Sequence, residues 1–308
     1  MLSINSKISI EEKFLISILF KDKNVIDKEI DIDNINYDLL VNIASSHLML
    51  PSLYINLTKK GLIELIPLEL KKYLKEIYII NKKRNQLLLN EAKEISEKLN
   101  YNKINHVFVK GTSHLFNNIY DDIGERMVGD IDFLVSKEDF VKTIEIIKKL
   151  DYNTSNPVIY YSRHYPKLIN TKKMFALEVH YELLSREHRK KLNPELILKN
   201  KIDYNKVYTP NSKHEILYNI YNFQINNYGS AKLSYSYRSF YDALMITKKF
   251  KVSLKKINLD TYTTNYFMII KELKIPNIGL LKIQINKLNL LRFKLKKSKK
   301  LYFNIDNF

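Results

Sequence analysis

Apolar residues recur at helical spacing along roughly the first third of the chain. Phe14, Ile18 and Leu19 share one face of a segment that Ser9 and Glu12 open as a capping box, and further apolar stripes run from Leu39 to Ile43, Leu53 to Leu57 and Leu70 to Leu89. Between about Asn102 and Asn200 the pattern changes. HVFVK, DIDFLV, PKLIN and MFALEVHY are short β-rich runs, and the last two flank Asn170 to Lys173, a polar turn that predicts an antiparallel hairpin. Ser136 with Asp139 reads as a second box, opening a helix marked by Phe140, Ile144 and Ile147. From Ser212 with Glu215, a third box, helical spacing returns through LYNIYNFQI and RSFYDALMITKKF. The expected class is α+β. A helical block covers 1–100, a small mixed sheet with packed helices covers 101–205, and a second helical block covers 206–308 and ends in a basic tail.

Composition narrows the possibilities. With 308 residues and 45% hydrophobic content, the chain can bury one large or two modest cores. Cysteine is absent, which excludes disulfides, thiolate zinc sites and cysteine nucleophiles and suits a reducing compartment. Acids precede the apolar run near the start and no small-residue cleavage site follows it, so it reads as a helix rather than a signal peptide. No run reaches the roughly 18 apolar residues that a membrane span needs. A cytoplasmic protein without a membrane segment is the expectation. The net charge of +18 favours a polyanionic partner, because lysines that neutralise phosphates release counterions. An adenine- and thymine-rich coding sequence inflates lysine as well, so RNA binding and a merely solvated lysine face both stay open. The tyrosines and phenylalanines of the last helical block, at helical spacing, read as core.

Asp130-Ile131-Asp132 leads into Phe133, Leu134 and Val135. Side chains in a strand repeat their direction every two residues, so both carboxylates leave one face of an element whose continuation is apolar. At about 5 Å and an effective dielectric near 20, two such charges repel by roughly 3 kcal/mol, enough to require a cation or a shared proton. Metal ions with hard oxygen ligands, Mg²⁺ or Mn²⁺, would supply it. A D-x-D on the wet face of an edge strand is the plain alternative. Upstream, His106 to Lys110 reads as a strand, Gly111-Thr112-Ser113 as a turn and His114 to Tyr120 as a helix start. That arrangement offers backbone N–H groups to a phosphate, and Gly111 permits close approach. Downstream, alternation in FALEVHYEL puts Phe175, Leu177, Val179 and Tyr181 on one face and Glu178, His180 and Glu182 on the other.

The segment VFVKGTSHLFNNIYDDIGERMVGDIDFLV resembles the bacterial uncharacterised nucleotidyltransferase group of the polymerase beta superfamily: a hydrophobic strand, Lys-Gly, a helix, then Arg shortly before Asp-Ile-Asp. The resemblance implies a polymerase beta-like nucleotidyltransferase core flanked by helical domains. It implies an NTP substrate and two catalytic divalent metals, with Gly111 and Thr112 or Ser113 holding the triphosphate. Asp130 and Asp132 would bind the metals, and Lys110 and Arg126 occupy basic positions suited to phosphates, or, for Arg126, to bracing the acids. The superfamily's third carboxylate matches Glu178, as metal ligand or as base toward an acceptor hydroxyl, and His180 follows as a substrate contact or a structural histidine. ASSHLMLPSLY, Arg84-Asn85 and YRSFYDALMI match the flanking helices, with Arg238 and Asp242 in structural places. The chain departs from the group around Gln224, where a histidine is common, and at Gly111-Thr112, where Gly-Gly or Gly-Ser is usual. The acceptor stays open between RNA such as tRNA, which would suit a toxin or defence protein, a protein side chain, and a small molecule. A non-catalytic binding protein that keeps the fold, or a scaffold recognising a partner through its helices, is the alternative from a different class.

Overall fold

The computed structural model describes residues 8–22, 32–154, 163–252, 259–276 and 289–294. Most of the predicted basic tail, from 295 onward, lies outside them. Helices come first: α1 (Ile10–Phe20), α2 (Tyr37–Ser46), α3 (Leu50–Lys59) and α4 (Leu68–Tyr101). Ser9 caps α1 as its spacing predicts, accepting the Glu12 N–H at 3.1 Å. Then follow β1 (His106–Phe108), α5 (Lys110–Phe116), β2 (Ile131–Val135), α6 (Phe140–Lys148) and β3 (Leu177–His180). The chain continues through α7 (Pro194–Lys199), β4 (Ile202–Tyr204), β5 (Val207–Thr209) and α8 (Ser212–Tyr221). A π-helical turn over Asn222–Asn226 leads to α9 (Gly229–Lys232), α10 (Tyr237–Phe250) and α11 (Thr261–Glu272). The class is α+β, as expected. No helix among the described residues is long and apolar enough to cross a membrane.

The central sheet runs β1-β2-β3 and is mixed. β1 lies antiparallel to β2, and β2 parallel to β3 with Asp132 opposite Glu178 and Leu134 opposite His180. The predicted hairpin is present in outline, as isolated bridges that pair Leu168 with Leu177 and His164 with His180, closed by the Lys173 N–H on the Asn170 carbonyl. Alternation then sorts the two faces. Phe108, Ile131, Phe133, Val135, Leu177 and Val179 pack against Leu88, Ala92, Ile95 and Leu99 of α4 and against Phe140, Ile144 and Ile147 of α6. On the opposite face, Val107, Val109 and Leu134 meet Leu198 of α7 and Tyr218 and Tyr221 of α8.

A larger apolar cluster joins both ends of the chain. Leu15, Ile18, Leu40, Leu53 and Leu74 from α1 to α4 pack with Ile216, Phe240, Ile246, Tyr266 and Ile269 from α8, α10 and α11. The 34-residue α4 spans about 50 Å at 1.5 Å per residue, enough to serve this cluster with its first turns and the sheet with its last.

Two local expectations are corrected. Gly111-Thr112-Ser113 is not a turn before a helix; it lies inside the first turn of α5, which starts at Lys110. The third capping box does not form either. Asn211 caps α8 by accepting the His214 N–H at 3.0 Å, and Glu215 turns inward to other partners.

Candidate active site

Adjacent parallel strands bring Asp132 and Glu178 side by side, and the next alternation adds His180. One ligand atom from each of the three residues lies within 4.8 Å of the others, so they could hold a metal ion. The His180 Nε2 sits 2.9 Å from Asp132 Oδ1 and 3.5 Å from Glu178 Oε2, and its ring is fully buried. Lysines complete the cluster. Lys110 Nζ donates to Asp132 at 2.6 Å and to Glu178 at 3.2 Å. Asp130 stands outside the close group but is tied to it, since Lys167 Nζ lies 2.7 Å from Asp130 and 3.7 Å from Glu178. Asp130, Asp132 and Glu178 therefore share one end of the sheet, linked by two ammonium groups.

The electrostatics follow from that packing. Burial alone would raise the Glu178 carboxyl, but the hydrogen bond to His180 and the Lys110 ammonium outweigh it and hold it far below the ordinary carboxylate range. Burial likewise opposes the Lys110 charge, yet the carboxylates of Asp132 and Glu178 more than compensate and raise it above the ordinary lysine value. Lys167 is raised chiefly by its hydrogen bond to Asp130. A divalent cation entering here would meet two carboxylates, which suit Mg²⁺ or Mn²⁺, beside an imidazole that favours a softer metal or orients Asp132 from behind.

The expected phosphate residues divide. Gly111 is held close to its neighbours: a Cβ there would lie 2.6 Å from Arg126 Nη1 and 2.8 Å from Val128 Cγ1. Thr112 bonds the Asp130 carbonyl at 3.3 Å, which ties α5 to the approach of β2. Ser113 is fully buried, and its hydroxyl donates to Glu215 Oε1 at 2.6 Å, away from the acids. Arg126 is likewise committed elsewhere. Its Nε lies 3.1 and 3.2 Å from the two Asp242 oxygens and its Nη2 2.8 Å from Oδ2, so it braces α10. The structural place given to Asp242 agrees with this. Gln224 is buried and its amide atoms find no partner among the described residues.

Several residues at the site are not among those that the sequence singles out for chemistry. Lys167 lies in a run chosen only for its β pattern. Asn81 and Asn85, one turn apart on α4, both donate to the Arg126 carbonyl, at 3.0 and 2.7 Å, and so fix the loop that leads into the acids. His114 sits between acids, with Nε2 2.9 Å from Glu215 and Nδ1 3.7 Å from Asp242. The spacing Asn81-x₃-Asn85 was available as a sign of a polar helix face turned inward.

Residues 33–250 match the family model described as an uncharacterised nucleotidyltransferase. No curated protein and no solved structure matches the chain.

Proposed function

The chain belongs to this uncharacterised nucleotidyltransferase family, and from that premise we propose that it moves a nucleoside monophosphate from an NTP to an acceptor hydroxyl. The observation that carries this reading is the pairing of Asp132 and Glu178 across parallel strands, with Asp130 joined to Glu178 through Lys167. Three acids at one sheet end beside the start of a helix are the arrangement expected of a polymerase beta-like core. In the reaction, the acceptor oxygen bonds to the α-phosphorus, the bond to pyrophosphate breaks, and the hydroxyl proton leaves to a carboxylate or to water. Divalent metals, Mg²⁺ or Mn²⁺, would supply charge neutralisation for the attacking oxygen and the departing pyrophosphate.

The chain's own residues have separable tasks in this reading. Asp130, Asp132 and Glu178 hold the cations, and His180 fixes the Asp132 carboxylate through its 2.9 Å contact. Lys110 keeps the acids together before substrate arrives and is placed to turn to the phosphates. Gly111 lets α5 approach Arg126 and Val128, and the Thr112 hydroxyl ties that helix to the Asp130 carbonyl beside the acids. The acceptor is RNA, such as a tRNA end, on the strength of the +18 charge; a protein side chain and a small molecule are the other outcomes of the test.

The test is transfer of label from each α-labelled NTP, with Mg²⁺, into separated cellular RNA, protein and metabolite fractions. One fraction becomes labelled with the wild type, and chelation by EDTA, Asp130→Asn and Asp132→Asn each reduce the rate at least 100-fold, the order expected when charge stabilisation of the transition state is lost. Equal labelling by the wild type and both variants sinks the proposal.

A further inference from the structure

With Arg126 bound to Asp242 and Ser113 to Glu215, the site lacks two of the phosphate donors that the sequence suggested. Two other donors stand beside the acids with nothing to bond. The Tyr218 hydroxyl, on α8, and Nη1 of Arg163 are both buried and find no hydrogen-bond partner among the described residues. Tyr218 is only 3% exposed. Buried polar groups are nearly always paired, so two unsatisfied donors at one wall call for an explanation. Their surroundings supply one. Tyr218 packs with Leu134 on the sheet face to which alternation turns Asp132, Glu178 and His180, and the Arg163 backbone is bonded to the end of β3, so both donors lie on the acid side of the sheet.

The chain is fixed at both positions, at the Arg163 backbone and at the Tyr218 ring. The Arg163 carbonyl accepts the Tyr181 and Glu182 N–H groups at 3.1 Å, fixing its backbone to the end of β3. The Tyr218 ring packs in the apolar layer with Val107, Val109 and Leu134 under the sheet. Burial, first among its causes, pushes the Tyr218 hydroxyl up to about 12, so it remains an O–H donor near neutral pH. Lys110 belongs to the same wall, since it bonds the carboxylates and feels Tyr218.

We propose that Tyr218 and Arg163, with Lys110, form the phosphate-binding wall of the site, donating to the triphosphate oxygens of the NTP while the acids face them across the cleft. This rests on the nucleotidyltransferase reading and adds to it the residues that grip the substrate. An unsatisfied hydroxyl and one unsatisfied guanidinium nitrogen kept buried without ligand are a cost to the free protein that a polyphosphate would relieve.

Inorganic tripolyphosphate with Mg²⁺ is the probe, because the base is not identified. Its affinity is measured by calorimetry on the full chain as wild type, Asp132→Asn, Tyr218→Phe and Arg163→Gln, together with the melting temperature of each free protein. Tyr218→Phe and Arg163→Gln are expected to weaken binding about tenfold, the effect of one lost hydrogen bond to a charged group. Tyr218→Phe should do so with a free-protein melting temperature equal to or above wild type, because the deleted hydroxyl had no partner. A merely structural tyrosine would instead lower that temperature and leave affinity within twofold. Affinity within twofold in both variants, with binding lost in Asp132→Asn, overturns the wall and leaves the catalytic reading standing. No tripolyphosphate binding by the wild type, together with no label transfer from any NTP, overturns both.

Discussion

Arg126 and Asp242 form a buried ion pair near the site. Asp242 is 3% exposed and takes three guanidinium contacts as well as a short hydrogen bond from the Tyr120 hydroxyl. Removing the arginine would leave a buried carboxylate without its counter-charge, which costs about 3–5 kcal/mol. Arg126→Ala should therefore lose that much in urea denaturation, and a loss under about 1 kcal/mol would mean that water reaches Asp242. Burial pushes the Asp242 carboxyl up, but Arg126 and His114 prevail and lower it. With the folded value below the unfolded one of about 3.9, the pair contributes stability above that pH and loses it as the pH falls toward the folded value. Local spacing could not reveal this role for Arg126. Its partner lies 116 residues further along, and an arginine just ahead of two acids fits phosphate binding equally well until both ends are seen. Alternation, a local rule, puts Asp130 with Asp132 and Glu178 with His180, and the resemblance to the nucleotidyltransferase group supplied the expectation that Glu178 joins the aspartates, as β2 and β3 pair it with Asp132.

At the scale of elements, the passage from β1 into α5 decides how near the helix comes to the acids. Lys110, at φ 55°, turns the chain within one residue, and its contacts with Asp132 and Glu178 offset the strain of that left-handed conformation. Gly111 follows because the side chains of Arg126 and Val128 occupy the space of a Cβ. Arg126 cannot swing away without leaving Asp242, and Val128 has no flexible end to move. Gly111→Ala is expected to destabilise by about 1–3 kcal/mol through overpacking and to slow transfer by displacing the start of α5. Denaturation and label transfer measured on one preparation check it; unchanged values in both would show that the loop yields freely. The sequence reads Gly-Thr-Ser as a turn because all three residues favour turns, and the helix forms there because Thr112 and Ser113 find partners on β2's approach and on α8. A similar competition moved the α8 cap. Asn211 is the better placed acceptor, and Glu215 is held inside by Ser113 and His114 rather than reaching back to the cap.

For the whole molecule, the three blocks seen in the sequence are stitched together by packing that no local pattern announces. Residues from α1 to α4 share one cluster with α8, α10 and α11, so the two helical ends are partners in a single core. The sheet depends on both. One face is covered by Leu88, Ala92, Ile95 and Leu99 of α4, and the other by Tyr218 and Tyr221 of α8. A fragment of residues 101–205 would keep the three strands, all the acids, α6 and α7, but would lose the α4 part of one cover and the α8 part of the other. Fully burying one large aliphatic side chain is worth about 1.5–3 kcal/mol, so Leu88, Ile95 and Leu99 alone account for roughly 5–9 kcal/mol. That is comparable with the about 5–15 kcal/mol by which a whole domain is stable. The fragment should therefore show clustered amide resonances and no cooperative melting transition, whereas the full chain shows dispersed signals and a sharp one. A fragment with dispersed signals and a cooperative transition would mean that the sheet carries its own core. The helices would then be additions to a self-sufficient site, not the walls that hold Asp132, Glu178 and Tyr218 in place.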